Sequence, residues 1–180
     1  MCIRDRLKAY TSGGKVNRLR VDMGKAILEP KEIPVVLDGD KVVDRPVEIA
    51  GKNYNITCVS MGNPHCVVFM DDIDNLDIET VGPEFENDKL FPERVNTEFV
   101  TVLDDHTIKM RVWERGSGET WACGTGACAV AVAACENGFC KKGEDIKIKL
   151  KGGDLIINYT DETVYMTGNA EKVFEGEVEV

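Results

Sequence analysis

The stretch that decides the fold is Arg111 to Gly138, RVWERGSGETWACGTGACAVAVAACENG. Its second half predicts a helix from about Gly126 to Asn137, built almost wholly of Ala, Val and Cys. Because this helix has no polar face, we expect it to be buried on all sides, and Asn137-Gly138 supplies the stop signal. Cys123 then lies at the helix start, where unpaired N–H groups and the helix dipole favour a thiolate and can hold a carboxylate. We therefore expect a lowered thiol pKa and a reactive sulfur; the alternative is a small residue in a tight turn.

The strand before this helix supplies two more candidates. In HTIKMRVWERG, the alternation of a strand places Ile108, Met110, Val112 and Glu114 on one face. Glu114 thus continues an apolar row with a charge, which requires a partner or a function. Arg115 follows, and its guanidinium suits bidentate carboxylate recognition.

Two further motifs carry polar groups at the ends of predicted strands. The string SMGNPHC, Ser60 to Cys66, lies between two apolar runs and predicts a turn joining two strands. Within it, Asn63 offers amide donors and an acceptor, and His65 can exchange protons near neutral pH. The string FPERVN places Asn96 at the mouth of another strand. Taken singly, each motif is equally an ordinary turn or loop.

Together these strings resemble the diaminopimelate epimerase family. The resemblance is carried by SMGNPHC, then GP with the later FPERVN, then RVWERGSGETWACGTGACA, then YMTGNA, and it runs from roughly residue 10 to 180. It implies a cytoplasmic isomerase of lysine and peptidoglycan precursor synthesis that needs no cofactor and no metal. The implied reaction is epimerisation of LL-2,6-diaminopimelate to the meso form, in which one cysteine removes a proton and another returns one on the opposite face.

The resemblance also implies roles for individual residues. Cys123 is one of the two catalytic sulfurs, and Glu114 and His65 tune cysteine protonation. Gly124 and Thr125 offer backbone N–H groups to the reacting carboxylate. The distal end of the substrate is held by polar side chains, namely Asn63, Asn96, Glu114 and Arg115.

One part of the family pattern has no counterpart in this sequence. The second family cysteine belongs to a Cys-Gly-Asn-Gly loop of an N-terminal lobe, and no other cysteine here is followed by a glycine pair. We therefore expect a fragment that is inactive alone, and a homodimer is the candidate assembly of the full-length protein. Its predicted parts are a non-native leader (1–6), a remnant of the N-terminal lobe (7–24), the C-terminal catalytic lobe (25–168) and a strand returning to the first lobe (169–180).

Composition narrows the class of partner. The net charge of −10 argues against nucleic acid or an anionic membrane, and no run approaches the ~18 apolar residues of a membrane span. Seven cysteines without a CxxC pair disfavour a disulfide framework or a zinc site and favour a reducing cytosol. A small zwitterionic substrate is compatible with all of this.

The pattern of apolar residues predicts an α+β lobe of mostly antiparallel strands closed around one buried helix. The predicted strands are 19–23, 33–37, 47–49, 55–60, 65–69, 96–103, 107–114, 145–150, 154–158, 163–166 and 172–180. A surface helix is predicted over 83–89, with Pro83 in its first turn.

Three other functions remain open at this point. A related epimerase of the proline racemase type shares the expected fold. A cysteine hydrolase or transferase would use Cys123 as nucleophile and His65 as base. A binding module without catalysis would retain the pocket alone.

Overall fold

The computed structural model describes residues 7–179, so the predicted leader at 1–6 lies outside the described residues. Two α-helices, one 3-10 helix and eleven strands are present in this range. The helices are α1 (Ile78–Glu86), α2 (Gly124–Glu136) and the 3-10 helix Pro30–Glu32. The strands are β1 (Leu7–Ser12), β2 (Lys15–Asp22), β3 (Arg45–Ile49), β4 (Lys52–Ser60), β5 (Pro64–Phe69), β6 (Asn96–Asp104), β7 (Thr107–Glu114), β8 (Gly118–Thr120), β9 (Asp145–Leu150), β10 (Gly153–Tyr159) and β11 (Val164–Asn169).

The strands form one mixed sheet. Its order is β1-β2-β11-β10-β9-β7-β6-β5-β4-β3, with β8 added beside β7. The pairs β5–β6 and β7–β9 are parallel, and the other strand pairs of the described chain are antiparallel. The expected α+β class with mostly antiparallel strands and few helices is confirmed.

The buried helix α2 is the centre of one hydrophobic core. Residues Ala127 to Ala134 are all fully buried, and α2 contacts β4, β5 and β6 as well as β9, β10 and β11. Small side chains allow these backbones to approach the helix closely. The prediction of an all-round buried helix is confirmed, with Asn137 as its C-cap and Gly138 at φ 79°. The helix begins two residues earlier than predicted, because Cys123 itself is the N-cap.

A second core lies on the opposite face of the sheet, under α1. Phe85 of α1 packs edge-on against Phe99 of β6, with ring centroids 5.4 Å apart. Gly82 allows α1 to lie directly on the indole of Trp113, since a Cβ there would come within 2.3 Å of a ring carbon. This packing fixes the end of β7 that carries Glu114 and Arg115.

The segment that follows β2 hydrogen-bonds to two strands that are far apart in the sheet order, β11 and β4. The N–H of Met23 donates to the Val164 carbonyl of β11, and Ile27 exchanges two backbone hydrogen bonds with Ser60 of β4. One extended segment therefore touches both β11 and β4.

Several predicted elements differ from the observed ones. The strand at 33–37 is wrong: Pro30–Glu32 form a 3-10 helix, and Ile33 is buried from the turn that follows. The helix at 83–89 lies five residues earlier, because the Asp77 side chain caps it by accepting from the N–H of Thr80, at 3.3 Å. Pro83 is therefore inside the helix, where it has no N–H to donate, and Phe85 two residues later is buried. Strands β1 and β8 were not predicted.

The predicted strand at 172–180 is also wrong for the residues described. No strand is present over 170–179, and Val173, Phe174 and Val178 are exposed. Although apolar and acidic residues alternate in the tail, the described part of it pairs with no strand among residues 7–179. Within the same range, neither α-helix has the length and apolar character that crossing a bilayer requires.

Candidate active site

The sulfur of Cys123 lies at the first turn of α2. It accepts a hydrogen bond from the N–H of Gly126 at 3.4 Å and lies 3.6 Å from the hydroxyl of Thr125. The N–H groups of Gly124 and Thr125 have no acceptor within residues 7–179. Two free N–H groups at the positive end of a helix dipole suit a carboxylate. The local geometry therefore places the Cys123 sulfur beside two free N–H groups at a helix start.

A chain of polar side chains leads away from this turn into the sheet. The amide nitrogen of Asn63 donates to the hydroxyl of Thr125 at 3.3 Å, and its oxygen lies 3.1 Å from Nε2 of His65. His65 Nδ1 is 2.7 Å from Oε1 of Glu98. Of the residues predicted for the site, Cys123, Thr125, Asn63 and His65 are thus brought together in one connected group.

A second polar group forms at the ends of β6 and β7. Asn96 donates to the carbonyl of Pro64 at 3.1 Å and accepts from the backbone N–H of Arg115 at 3.0 Å. The Glu114 carboxylate accepts from the hydroxyl of Thr120 on β8. Asn96 is the register partner of His65 across the parallel β5–β6 pair, so the two polar groups are adjacent.

The Arg115 side chain does not share a hydrogen bond with the Cys123 group of the described chain. It is exposed, and its guanidinium donates to the carbonyl of Glu93 at 2.9 Å. The guanidinium is thus bound to a backbone carbonyl through Nη1, and none of its donors is bound to a carboxylate of the described residues. Glu114 is half-buried at the end of the row Ile108, Met110 and Val112, which confirms the face assigned from the alternation.

The expectation of a lowered Cys123 pKa is wrong for this chain. Burial, and next the negative charge of Glu98, raise the pKa of the thiol to about 11. The hydrogen bonds from Thr125 and Gly126 act in the opposite direction and are outweighed. The Cys123 residue is only 7 % exposed, so desolvation of the thiolate exceeds the stabilisation from the helix start.

The remaining described cysteines are free and do not join this group. Cys58 and Cys66 face each other across β4 and β5 and are fully buried, as expected for core residues. Cys128 is buried in α2, Cys140 is buried after it, and Cys135 is half-buried. Burial raises the pKa of Cys128 and of Cys135 to about 12.

Sequence reasoning missed two acidic residues that shape the site. Glu98 lies on the face of β6 that carries Asn96 and Val100, so the signal that identified Glu114, an acid within an apolar strand, also applies to it. Glu86 of α1 is buried and accepts from Trp113 Nε1 at 2.7 Å and from the N–H of Gly116 at 2.9 Å. It thereby holds the loop that follows Arg115, and no sequence pattern identified it.

Comparison with known proteins gives consistent results. The family model described as diaminopimelate epimerase matches residues 57–173. The diaminopimelate epimerase of Agathobacter rectalis is 50% identical over 183 residues, covering 97% of this chain and 64% of that protein. That of Acetivibrio thermocellus is 52% identical over 176 residues, covering 97% of this chain and 62% of that protein. The chain thus spans somewhat less than two thirds of the length of these relatives.

Solved structures show the same fold at low sequence identity. A probable proline racemase from Agrobacterium radiobacter K84 has a TM-score of 0.68 and 14% identity, covering 91% of this chain and 54% of that one. A predicted epimerase from Pseudomonas aeruginosa has a TM-score of 0.57 and 18% identity, covering 94% of this chain and 63% of that one.

Proposed function

The chain belongs to the diaminopimelate epimerase family, and we propose that its site takes part in the epimerisation of LL-2,6-diaminopimelate to the meso form. The observation that carries this proposal is the Cys123 sulfur beside the free N–H groups of Gly124 and Thr125. A substrate carboxylate bound by these N–H groups would bring its own α-carbon toward the sulfur.

The proposed chemistry is proton transfer at that carbon. The Cys123 thiolate takes the α-proton as an S–H bond forms, and the electron pair of the broken C–H bond passes into the carboxylate, where the two N–H groups stabilise the added charge. A second acid then delivers a proton to the opposite face. A thiol with a pKa of about 11 is a strong base once ionised, which suits a weak carbon acid, although little thiolate is present at neutral pH.

The group around Asn96 supports recognition of the distal end of the substrate. Asn63, Asn96, Glu114 and Arg115 offer donors and acceptors for a second ammonium and carboxylate. The Arg115 guanidinium, which lies exposed against Glu93, would exchange that carbonyl for the distal carboxylate. We propose that this exchange distinguishes a dicarboxylic diamino acid from a shorter amino acid.

The opposing acid is proposed to be a second cysteine that is not among residues 7–179. The described cysteines other than Cys123 lie in strand cores, in α2 after its first turn, or just beyond this helix, and all but Cys135 are buried. We propose that it comes from an N-terminal lobe, to which 7–24 and 169–180 also belong, while 25–168 form the catalytic lobe.

Substrate protection of Cys123 tests the proposed function. The chain is alkylated with iodoacetamide at pH 9, and labelling of each cysteine is followed by peptide mass spectrometry. We expect diaminopimelate to slow labelling of Cys123 more than lysine, which lacks the distal carboxylate, and more than proline. Arg115→Gln should remove the difference between diaminopimelate and lysine.

Cys135 provides the internal control, since it belongs to the same helix but is remote from its first turn. Stronger protection by proline than by diaminopimelate would favour the proline racemase type of reaction instead. Burst acylation of Cys123 by a thioester would favour a hydrolase. Equal protection of Cys123 and Cys135 would contradict a site at the start of α2.

We also propose the shape of the sheet around α2, the location of the protein in the cell and its oligomeric state. We infer that the sheet is closed around α2, supported by the segment 23–27, which hydrogen-bonds to both β11 and β4. We infer a cytoplasmic location, supported by the free cysteines of the described chain. A homodimer of the whole protein remains a proposal, which sedimentation velocity would test.

A further inference from the structure

A fully buried carboxyl group lies beside the Cys123 sulfur and has no part in the proton transfer proposed above. It belongs to Glu98, whose Oε1 is 2.7 Å from Nδ1 of His65. A Cβ added at Gly126 would lie 2.6 Å from this oxygen and 3.2 Å from the Cys123 sulfur. The carboxyl oxygen and the sulfur therefore border the same small space, which the absence of a side chain at Gly126 leaves open.

The hydrogen-bond partners of His65 determine how many protons it shares with Glu98. Asn63 donates its amide N–H to Thr125 at 3.3 Å, so its oxygen faces Nε2 of His65, and Nε2 must be the donor. The contact between Nδ1 and Oε1 then needs one further proton, on either atom. In both arrangements, imidazolium with carboxylate or imidazole with carboxylic acid, the His65–Glu98 pair is neutral overall.

Burial favours this neutral form of the pair. Oε2 of Glu98 is buried and has no hydrogen-bond partner among the described residues, a costly state for a carboxylate. Burial, as the largest cause, raises the pKa of Glu98, while His65 lowers it and Glu114 on β7 raises it. The Cys123 thiol, at the N-cap of α2, faces Glu98, whereas the Cys66 thiol on β5 lies in the core on the other side of the sheet.

We propose that Glu98 is a positioning residue for Cys123: it fixes the tautomer of His65 and keeps one proton between them, so that the pair beside the sulfur stays neutral near neutral pH. When the pair loses that proton at higher pH, a net negative charge borders the sulfur and opposes thiolate formation. The consequence for catalysis rests on the proposed function, but the charge state of the pair is testable without turnover.

The pH profile of Cys123 alkylation is the decisive measurement. In the wild-type chain, the logarithm of the rate should rise with unit slope, pass through a shallow region where the pair loses its proton, and then rise again. Glu98→Gln cannot acquire the charge, so its profile should have unit slope throughout. The two rates should agree within about twofold at pH 7, whereas the variant should be faster by about tenfold at high pH, which corresponds to one pKa unit.

The second histidine of the chain offers a matched control. Glu144 lies 3.6 Å from Nδ1 of His106, and both side chains are about half exposed. Glu144→Gln therefore removes the same chemical group next to a histidine without altering the site, and its profile should follow that of the wild type. A purely structural role for Glu98 would change the rate at all pH values and leave the shape of the profile intact.

A measurement on the unaltered chain decides the point if Glu98→Gln does not fold. The carboxyl carbon of Glu98 and the ring of His65, assigned by NMR, should both respond to one titration step above pH 7, in which the shared proton leaves the pair. Loss of this proton below pH 7, or a wild-type alkylation profile of uniform unit slope, overturns the proposal. Failure of diaminopimelate to protect Cys123 would defeat the proposed function alone, because neither measurement uses a substrate.

Discussion

Replacing Glu86 by Gln should destabilise the fold next to the candidate site and should change how stability depends on pH. The Glu86 side chain is 8 % exposed, and its two oxygens accept from Trp113 Nε1, from the N–H of Gly116 and from the Arg94 guanidinium at 2.7, 2.9 and 3.1 Å. A Gln amide has one acceptor oxygen, so in either orientation its NH₂ group faces a donor that the carboxylate satisfied. Leaving a buried donor unpaired costs about 1–3 kcal/mol.

The pKa of Glu86 determines in which direction the stability difference between the two proteins changes with pH. Despite burial, the hydrogen bonds from Trp113, Gly116 and Arg94 hold the pKa of Glu86 below its ordinary value of 4.5. A group with a depressed folded pKa contributes stability that is present above its unfolded pKa and is lost as pH falls through the folded pKa. The wild-type chain should therefore exceed Glu86→Gln in stability at pH 7, and the difference should shrink below pH 4.5.

Urea unfolding followed by tryptophan fluorescence measures the free energy of unfolding at each pH. In a thermal melt, each kcal/mol of lost stability should lower the melting temperature by roughly 2–4 °C. Glu84→Gln is the matched control, since it makes the same change on an exposed position of α1 and should have little effect. Wild-type stability in Glu86→Gln at pH 7 would refute the reasoning. So would a difference that stays constant down to pH 3.

Three further outcomes are expected. Gly126→Ala should lower the free energy of unfolding by about 1–2 kcal/mol, because the clash of its Cβ with Glu98 exceeds the gain in helix propensity. Gly176→Ala is the control, since a Cβ there meets no atom within 4 Å. Equal stability of the two variants in urea would contradict this expectation. The purified chain should not convert LL- to meso-diaminopimelate at a detectable rate by chiral chromatography, since the opposing acid is proposed to lie outside residues 7–179 and loss of one catalytic group removes on the order of 10²–10⁴-fold in rate; conversion that disappears in Cys123→Ser would disprove it. Hydrogen exchange should be rapid over residues 170–179 and slow in the buried turns of α2, and a protected tail in a monomeric sample would be the opposite result.

The sequence by itself determined the elements whose signal is local and repeated. The Ala- and Val-rich run after Cys123 has no polar face, so only a helix surrounded by other elements could bury it, and α2 is such a helix. Strict alternation placed β9 at Asp145–Leu150 with its observed bounds and assigned Glu114 to the inner face of β7. The motif strings also identified Cys123, Thr125, Asn63 and His65 as candidates for one site. These residues lie at or near the starts of α2 and β5.

Tertiary structure alone decided what depends on contacts between distant segments. The apolar residues at 33–37 resemble a strand locally, yet Ile33 is buried from a turn, and the next N–H groups donate to the carbonyls of Pro30 and Leu90. Helix α1 starts at Ile78 because Asp77 caps it and Phe85 packs on Phe99, and these contacts outweigh the local preference of Pro83 for a first turn. The thiol of Cys123 shows the same effect on chemistry: its position at a helix start favours a thiolate, but burial and the charge of Glu98, supplied by β6, raise its pKa. A pKa is set by every charge and every desolvated surface around a group, and those become known only when the strands are placed side by side.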